Sequence, residues 1–293
     1  MSKILVVGGS GFIGSHVADK LTGENHEVIL YDKNESLYKL KNQEMIIGNN
    51  LDTKKLYDIL KTGVDFVYNF SSIADINDAK NNHELMIDVN IKGHLNLMEA
   101  CASADVKRYI YSSSLYVYSD YGSLYKASKQ SAELFIEAFN ELKKLDFTVV
   151  RCGTIYGPRA QEWNGFYKII KQVVVDKQLI FDGSGDEIRS FIHVEDVAEL
   201  FVKVLNEKYV NEYVNINGNE KYSGNDLVKL IESIFKGTIK KSSMKYKGKT
   251  RPDHYVLTPY RYFPKKSKNI TKDSYIELGQ GILHLANHIK ESK

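Results

Sequence analysis

The sequence predicts an α/β fold: a doubly wound parallel sheet covered by helices on both faces, with a smaller α/β lobe. Three observations carry this. Near-continuous apolar runs alternate with longer helical patterns from Lys3 to Arg151, as strands buried on both faces require. All four prolines (Pro158, Pro252, Pro259 and Pro264) lie in the second half, where the regular alternation loosens. The first apolar run also ends in a glycine-rich turn that opens a helix. A chain of 293 residues fits one large domain or two intimate ones.

Each element has its own signal. Lys3–Val7 is a branched apolar run, and Phe12–Leu21 has helical spacing. Glu27–Tyr31 and Met45–Ile47 read as strands, Leu51–Leu60 as a helix, and Asp65–Phe70 as a strand. Asp88–Ala104 is a long helix, Arg108–Ser112 a strand, Leu124–Leu145 a second long helix and Phe147–Arg151 a strand. Beyond Pro158, helices are expected at Gly165–Asp176, Val197–Glu207 and Asp226–Phe235, and strands at Ile188–Val194 and Tyr213–Ile216. The expected division is a larger domain at 1–155, to which 187–210 returns, and a smaller lobe from 156–186 and 211–293.

Composition narrows the class. Hydrophobic residues are 43% and charged residues 26%, the mix of a globular chain. No apolar run approaches the ~20 residues that span a bilayer, so no membrane association is expected. The N-terminus reaches its glycine turn too early for a signal peptide. Cys101 and Cys152 are too few for a disulfide scaffold or a four-cysteine zinc site, and a reducing cytoplasm is the expected compartment. The net charge of +3 hides a split: Lys236–Lys272 holds twelve Lys/Arg and one acid, Asp253. The aromatics between them (Tyr246, Tyr255, Tyr260, Tyr262 and Phe263) lack an RNA-binding pattern, so a solvated face is expected and no nucleic acid.

Gly8-Gly9-Ser10-Gly11-Phe12-Ile13-Gly14 satisfies both G-x-x-G-x-x-G and G-x-G-x-x-G, between a strand and a helix. Such glycines permit a tight turn and let a pyrophosphate approach backbone N–H groups at a helix N-terminus. Asp32 ends the second strand, where a carboxylate accepts from ribose hydroxyls and repels a 2′-phosphate. NAD is therefore the expected cofactor, a preference that the neighbouring Lys33 can soften. Tyr125-x-x-x-Lys129 puts a hydroxyl and an ammonium on one helix face. A phenol that titrates near ~10 is a poor base at neutral pH, and a nearby cation favours its phenolate. Ser112-Ser113-Ser114 closes the preceding strand, where ligands of open parallel sheets bind, with Ser112 or Ser113 as the natural capping residue.

With these motifs in order, the chain resembles the extended short-chain dehydrogenase/reductases, in particular the nucleotide-sugar epimerase/dehydratase group similar to UDP-glucose 4-epimerase. Further support comes from Asn90–Ala100, Tyr111–Tyr118, Arg151–Pro158, Arg189–Val197 and Val214–Gly218. The resemblance implies a Rossmann-type cofactor domain, with Ser114 as catalytic hydroxyl, Tyr125 as acid/base and Lys129 as its helper. Gly8, Gly11, Phe12, Ile13, Gly14, Asp32, Lys33, Phe70, Ser71, Asn90 and Ser112 would surround NAD beside Tyr125 and Lys129. Ser114, Thr154, Arg189 and Arg251 would contact a nucleotide-diphosphate sugar. Dimerisation is implied through helices near 88–104 and 123–143.

The sequence also departs from that pattern. The segment between Ser114 and Tyr125 is short, Thr154 replaces an asparagine, and Arg251-Pro252-Asp253-His254 lacks a glycine. Dehydratases of the group carry an Asp-Glu pair after the catalytic hydroxyl, and decarboxylases a Glu. Here Leu115 and Tyr116 stand there and cannot serve. The expectation is an NAD-dependent 4-epimerase acting through a 4-keto intermediate. The alternatives are a 4-keto-sugar reductase using NAD(P)H and, behind both, a catalytically silent dinucleotide-binding sensor. Outside the site, His193 reads as structural, Cys152 as a packed small residue, Gln161–Phe166 with Trp163 as a surface loop, and His284/His288 as a solvated helix face. No metal is expected.

Overall fold

The computed structural model describes residues 1–75, 82–119, 122–245 and 267–291. Its cofactor side begins with β1 (Lys3–Val7), α1 (Phe12–Gly23), β2 (Glu27–Asp32), β3 (Glu44–Ile47), α2 (Thr53–Leu60) and β4 (Phe66–Asn69). Next, α3 (His83–Ile87) passes through a π turn at Asp88–Lys92 into α4 (Gly93–Ser103). β5 (Arg108–Ser114) ends in a 3-10 turn at Leu115–Tyr118, followed by α5 (Ser123–Lys143) and β6 (Phe147–Cys152). The chain continues through β7 (Thr154–Tyr156), α6 (Gly165–Lys171), β8 (Gln178–Asp182), β9 (Ile188–His193), α7 (Val194–Lys203) and β10 (Glu212–Ile216). The last elements are β11 (Lys221–Ser223), α8 (Gly224–Ile234), β12 (Lys241–Lys245), β13 (Lys268–Asn269) and α9 (Leu278–Glu291).

The large sheet runs β13-β10-β6-β5-β4-β1-β2-β3, and each of its pairings is parallel. Strand alternation explains why these strands are apolar throughout. Ile4 and Val6 of β1 face one hydrophobic cluster with α1 and α7, while Leu5 and Val7 face a second with α2, α4 and α5. From β1 the chain first winds to β2 and β3, then returns to β4 on the other side. That reversal opens a crevice beyond the carboxyl ends of β1 and β4, which is where the glycine turn lies.

Around this body, β11-β9-β7 and β12-β8 form small sheets, and α6, α8 and α9 enclose a third cluster with Ile170, Ile231, Ile282 and Leu285 at its centre. Within 187–210, α7 packs with α1 against the large sheet. β9 belongs to a small sheet, whereas β10 and β13 extend the large one by pairing beside β6. Parallel pairing is non-local, so the strand pattern alone did not assign these partners. The helix α9 carries His284 on its exposed side, in keeping with the solvated face expected of His284 and His288. Its other side buries Leu278, Ile282, Leu285, Ala286 and Ile289. Among the described residues, no helix is long and apolar enough to cross a membrane.

Candidate active site

The glycine turn is close-packed, which explains its composition. Gly8 has φ +80°, and a Cβ there would lie 2.7 Å from Ser71 N, so the β1 and β4 ends meet backbone to backbone. A Cβ on Gly14 would lie 2.2 Å from Gly8 O. Gly11 precedes α1 with no side-chain cap, and the first turn carries no acid. The N–H groups of Phe12, Ile13 and Gly14 therefore present the positive end of the helix to the crevice. Asp32 is held at the rim, with Oδ2 accepting from Ser10 N at 3.1 Å and Oδ1 from Asn34 N at 3.1 Å. Lys33 beside it is exposed. This uncapped helix end, with a carboxylate held beside it, fits a dinucleotide.

The other wall is fastened by amide side chains. Asn69 Oδ1 accepts from Ser71 N at 2.9 Å and Ser71 Oγ at 2.6 Å. Phe70 packs edge-on against Phe201 at 4.9 Å. Asn90 sits in the π turn, buried. Its Oδ1 accepts from Ile73 N at 2.7 Å, and its Nδ2 donates to Ile73 O at 3.1 Å and Ser128 Oγ at 3.1 Å. It thus ties the segment after β4 to the helix that carries Tyr125. Asn69 Nδ2 donates to Tyr109 OH (2.7 Å), which in turn donates to His94 Nδ1 (2.8 Å), while His94 Nε2 donates to Ala132 O (3.2 Å). Sequence reading missed this chain of bonds.

Ser114, Tyr125 and Lys129 come together. The β5–β6 register sets Ser114 against Cys152, and Thr154 begins β7 two residues later. Ser114 lies close enough to the Tyr125 hydroxyl to lower its pKa, and Ser114 Oγ accepts from Tyr116 N at 3.2 Å, so it also caps the 3-10 turn. The capping role expected of Ser112 or Ser113 thus falls to Ser114. Ser112 O accepts from Lys129 Nζ at 2.8 Å, and Ser113 Oγ donates to Glu133 Oε1 at 2.6 Å. Lys126 Nζ donates to Ser119 O and Gln130 Nε2 to Val117 O, so α5 grips the turn along its length. Leu115 and Tyr116 are each 8% exposed, and the Tyr116 ring meets the Tyr125 ring edge-on at 5.8 Å.

The electrostatics differ from the simple expectation. Burial pushes the Tyr125 hydroxyl up to about 12, against the lowering effect of Ser114. Burial brings Lys129 down to about 8, opposed by Cys152 and Glu133. Lys129 Nζ lies 5.7 Å from the Tyr125 ring centre and 4.8 Å from that of Tyr111, and it spends a hydrogen bond on Ser112 O. Desolvation therefore dominates at both groups: near neutral pH the tyrosine holds its proton, and the lysine is the group closer to titrating. Burial also raises the Cys152 thiol to about 12, which suits a packed residue rather than a nucleophile.

Arg189 on β9 and Thr154 on β7 are half-buried neighbours in the same small sheet, where Thr154 pairs with Phe191. Arg251 lies outside the described residues. Trp163 is 38% exposed, and Asn164 caps α6. His193 is structural as expected, with Nδ1 accepting from Glu195 N at 3.3 Å to cap α7.

The histidines near the C-terminus do more than face solvent. The His284 ring stacks on His193 at 5.3 Å, and His288 Nε2 accepts from Arg159 N at 3.3 Å. His193, Glu195 and His284 bring ligand-type atoms within 4.8 Å of one another. The bond to His193 Nδ1 assigns the neutral ring's proton to Nε2.

The residues that sequence reading overlooked lie beneath the serine turn. Glu133 and Arg151, 4% and 1% exposed, form a forked pair: Nε to Oε1 at 2.9 Å and Nη2 to Oε2 at 2.6 Å. Two signals were present: an acid one turn beyond Lys129, and a lone arginine in the apolar β6 run Phe147–Cys152.

Comparison with known proteins agrees with this architecture. The profile of the NAD dependent epimerase/dehydratase family matches residues 4–217. The uncharacterized UDP-glucose epimerase YtcB of Bacillus subtilis is 30% identical over 259 residues, covering 79% of this chain and 82% of the relative. The UDP-glucuronate 4-epimerase of Thermodesulfobacterium geofontis is 25% identical over 321 residues, covering 100% and 97%. The crystal structure of UDP-glucose 4-epimerase from Thermotoga maritima with UDP-glucose superposes with a TM-score of 0.83 at 25% identity, covering 99% of each chain. Glycine turn, parallel sheet and family profile coincide over the same residues, and the chain belongs to the NAD-dependent epimerase/dehydratase family, enzymes of the extended short-chain dehydrogenase/reductase type.

Proposed function

We propose that the protein is a nucleotide-sugar 4-epimerase in which Tyr125 moves the proton of the sugar 4-hydroxyl. One observation carries the reading: Ser114, Tyr125 and Lys129 come together, while the adjoining positions 115 and 116 hold a buried leucine and tyrosine instead of carboxylates. Eliminating water needs a further acid and base near the sugar, and neither residue supplies one at neutral pH. Oxidation and reduction at one carbon need only the tyrosine and its neighbours.

Bound NAD supplies the acceptor and donor of the hydride. Gly8, Gly11, Phe12, Ile13 and Gly14 hold its pyrophosphate at the α1 N-terminus, and Asp32 accepts from the adenosine ribose hydroxyls. Phe70, Ser71, Asn90 and Ser112 complete the wall, and Lys33 flanks the ribose. Ser114 Oγ aligns the sugar oxygen, and Lys129 supports the tyrosine as it gains or loses its proton. Thr154, Arg189 and Arg251 take the substrate side, with the arginines toward the diphosphate. The relatives' names include UDP-glucose, UDP-glucuronate and dTDP-D-glucose, and those of the epimerases among them support UDP-sugars as the first candidates to test.

Incubation with UDP-, dTDP-, GDP- and CDP-sugars, with and without NAD(P)H, followed by product NMR, tests this directly. Interconversion of 4-epimers without added reductant is the expected result. Stoichiometric consumption of NAD(P)H by a 4-keto sugar identifies the reductase instead, and binding without turnover identifies a sensor. A homodimer through α3–α4 and α5 is part of the same reading. Ile87, Leu134 and Leu142 are 53%, 57% and 75% exposed there. Light scattering after size exclusion should give twice the chain mass, and a monomer overturns this part.

A further inference from the structure

We propose that the Glu133–Arg151 pair positions Ser114 against Tyr125 by holding the serine turn from both ends, a role that rests on the tyrosine mechanism above. The pair does not close on itself. Glu133 Oε1 accepts from Ser113 Oγ at 2.6 Å, immediately before Ser114. Arg151 Nη1 donates to Tyr118 OH at 2.6 Å, at the far end of the 3-10 turn that begins at Leu115. The arginine plane also faces the rings of Tyr118 at 5.0 Å and Tyr213 at 4.6 Å.

Tyr118 OH reaches onward to Asn215 Oδ1 (3.3 Å) and Ser267 Oγ (3.1 Å), and Asn215 Nδ2 donates to Ser267 Oγ (2.7 Å). The turn is thereby referenced to β10 and to the residue before β13. Because Glu133 lies one turn beyond Lys129 on α5, one side chain sets the serine strand against the helix that carries Tyr125 and Lys129. A buried ion pair is a poor means of stabilising a fold, since well-packed apolar residues serve as well. Its planar fork does fix distance and angle together, which the placement of Ser114 against Tyr125 needs.

The experiment compares Glu133→Gln, Ser113→Ala and the double variant Glu133→Gln/Arg151→Met with wild type and Tyr125→Phe. Glu133→Gln should lower kcat about 10- to 100-fold with KM within about threefold. It should also move the alkaline limb of the pH–rate profile downward, because Glu133 opposes the lowering of Lys129. Ser113→Ala, which leaves the pair intact and should fold, should lower kcat several-fold. The double variant should regain thermal stability without regaining kcat.

Recovery of kcat in the double variant, or an unchanged kcat and pH profile in folded Glu133→Gln and Ser113→Ala, overturns the positioning role. If Tyr125→Phe also keeps full activity, the fault lies in the tyrosine reading. Should no sugar turn over, the ionisation of Tyr125 is followed by near-ultraviolet absorbance, as the difference between each protein and its Tyr125→Phe counterpart. A shift in Glu133→Gln supports the proposal, and coincident curves overturn it.

Discussion

Lowering the pH from 7.5 to 5 should destabilise the fold through histidines that cannot accept a proton where they stand. His94 is 1% exposed, and burial takes its pKa from 6.5 to about 3. His193, also 1% exposed, is lowered to about 3 by burial, then by His284, His16 and Lys272. His16 is lowered to about 4 by burial, then by Arg159, and its Nε2 donates to Pro158 O at 3.1 Å. Below pH 6.5 the unfolded chain protonates these rings and the folded chain does not. Stability therefore falls with pH from about 6.5 until the folded values near 4 and 3 are reached.

At pH 5 each fully buried ring contributes about 1.5 pH units of this linkage, or roughly 2 kcal/mol. His94 and His193 together remove about 4 kcal/mol, and part-buried His16 adds less, against a total stability of roughly 5–15 kcal/mol. Urea unfolding at pH 7.5, 6.0 and 5.0 measures this, with uptake of about two to three protons on unfolding at pH 5.5. A change below about 1 kcal/mol between pH 7.5 and 5.0, or His94 and His193 resonances of the native protein that titrate near 6.5, would refute the reasoning.

Four further outcomes follow. Tyr125→Phe should lower kcat by ~10²–10⁴ while NAD still binds by calorimetry, since only the proton-transfer group is removed. Gly14→Ala places a methyl 2.2 Å from Gly8 O and should weaken NAD binding at least about tenfold, because the backbone that faces the pyrophosphate must shift. Gly23→Ala meets nothing within 4 Å and should leave binding unchanged, stabilising α1 by roughly 0.5–1 kcal/mol in thermal melts. The rate should fall above pH 8 as Lys129 loses its charge, and this limb should vanish in Lys129→Met if the ammonium is what supports the tyrosine.

What the sequence determined by itself was short-range. The glycine turn, the carboxylate ending β2 and the Tyr125–Lys129 spacing are each settled within one or two elements, by backbone clearance or helical period. Apolar alternation with helices likewise specified a parallel sheet before any pairing was known. Tertiary structure decided everything that depends on distant partners. The β10–β6 pairing took residues 212–216 into the large sheet. Burial, a property of the whole packed chain, reversed the expected order of the Tyr125 and Lys129 effects.

Arg151 and Glu133 are 18 positions apart, and His16 and Pro158 are 142 apart. A lone arginine in an apolar strand announces that a buried partner must exist, because an unpaired charge there is prohibitively desolvated. Which acid answers it, and that the pair then reaches Ser113 and Tyr118 around the proposed catalytic serine, is set by the β5–β6 register and the docking of α5. No local pattern encodes those contacts, because they come from the packing of separate elements against one another.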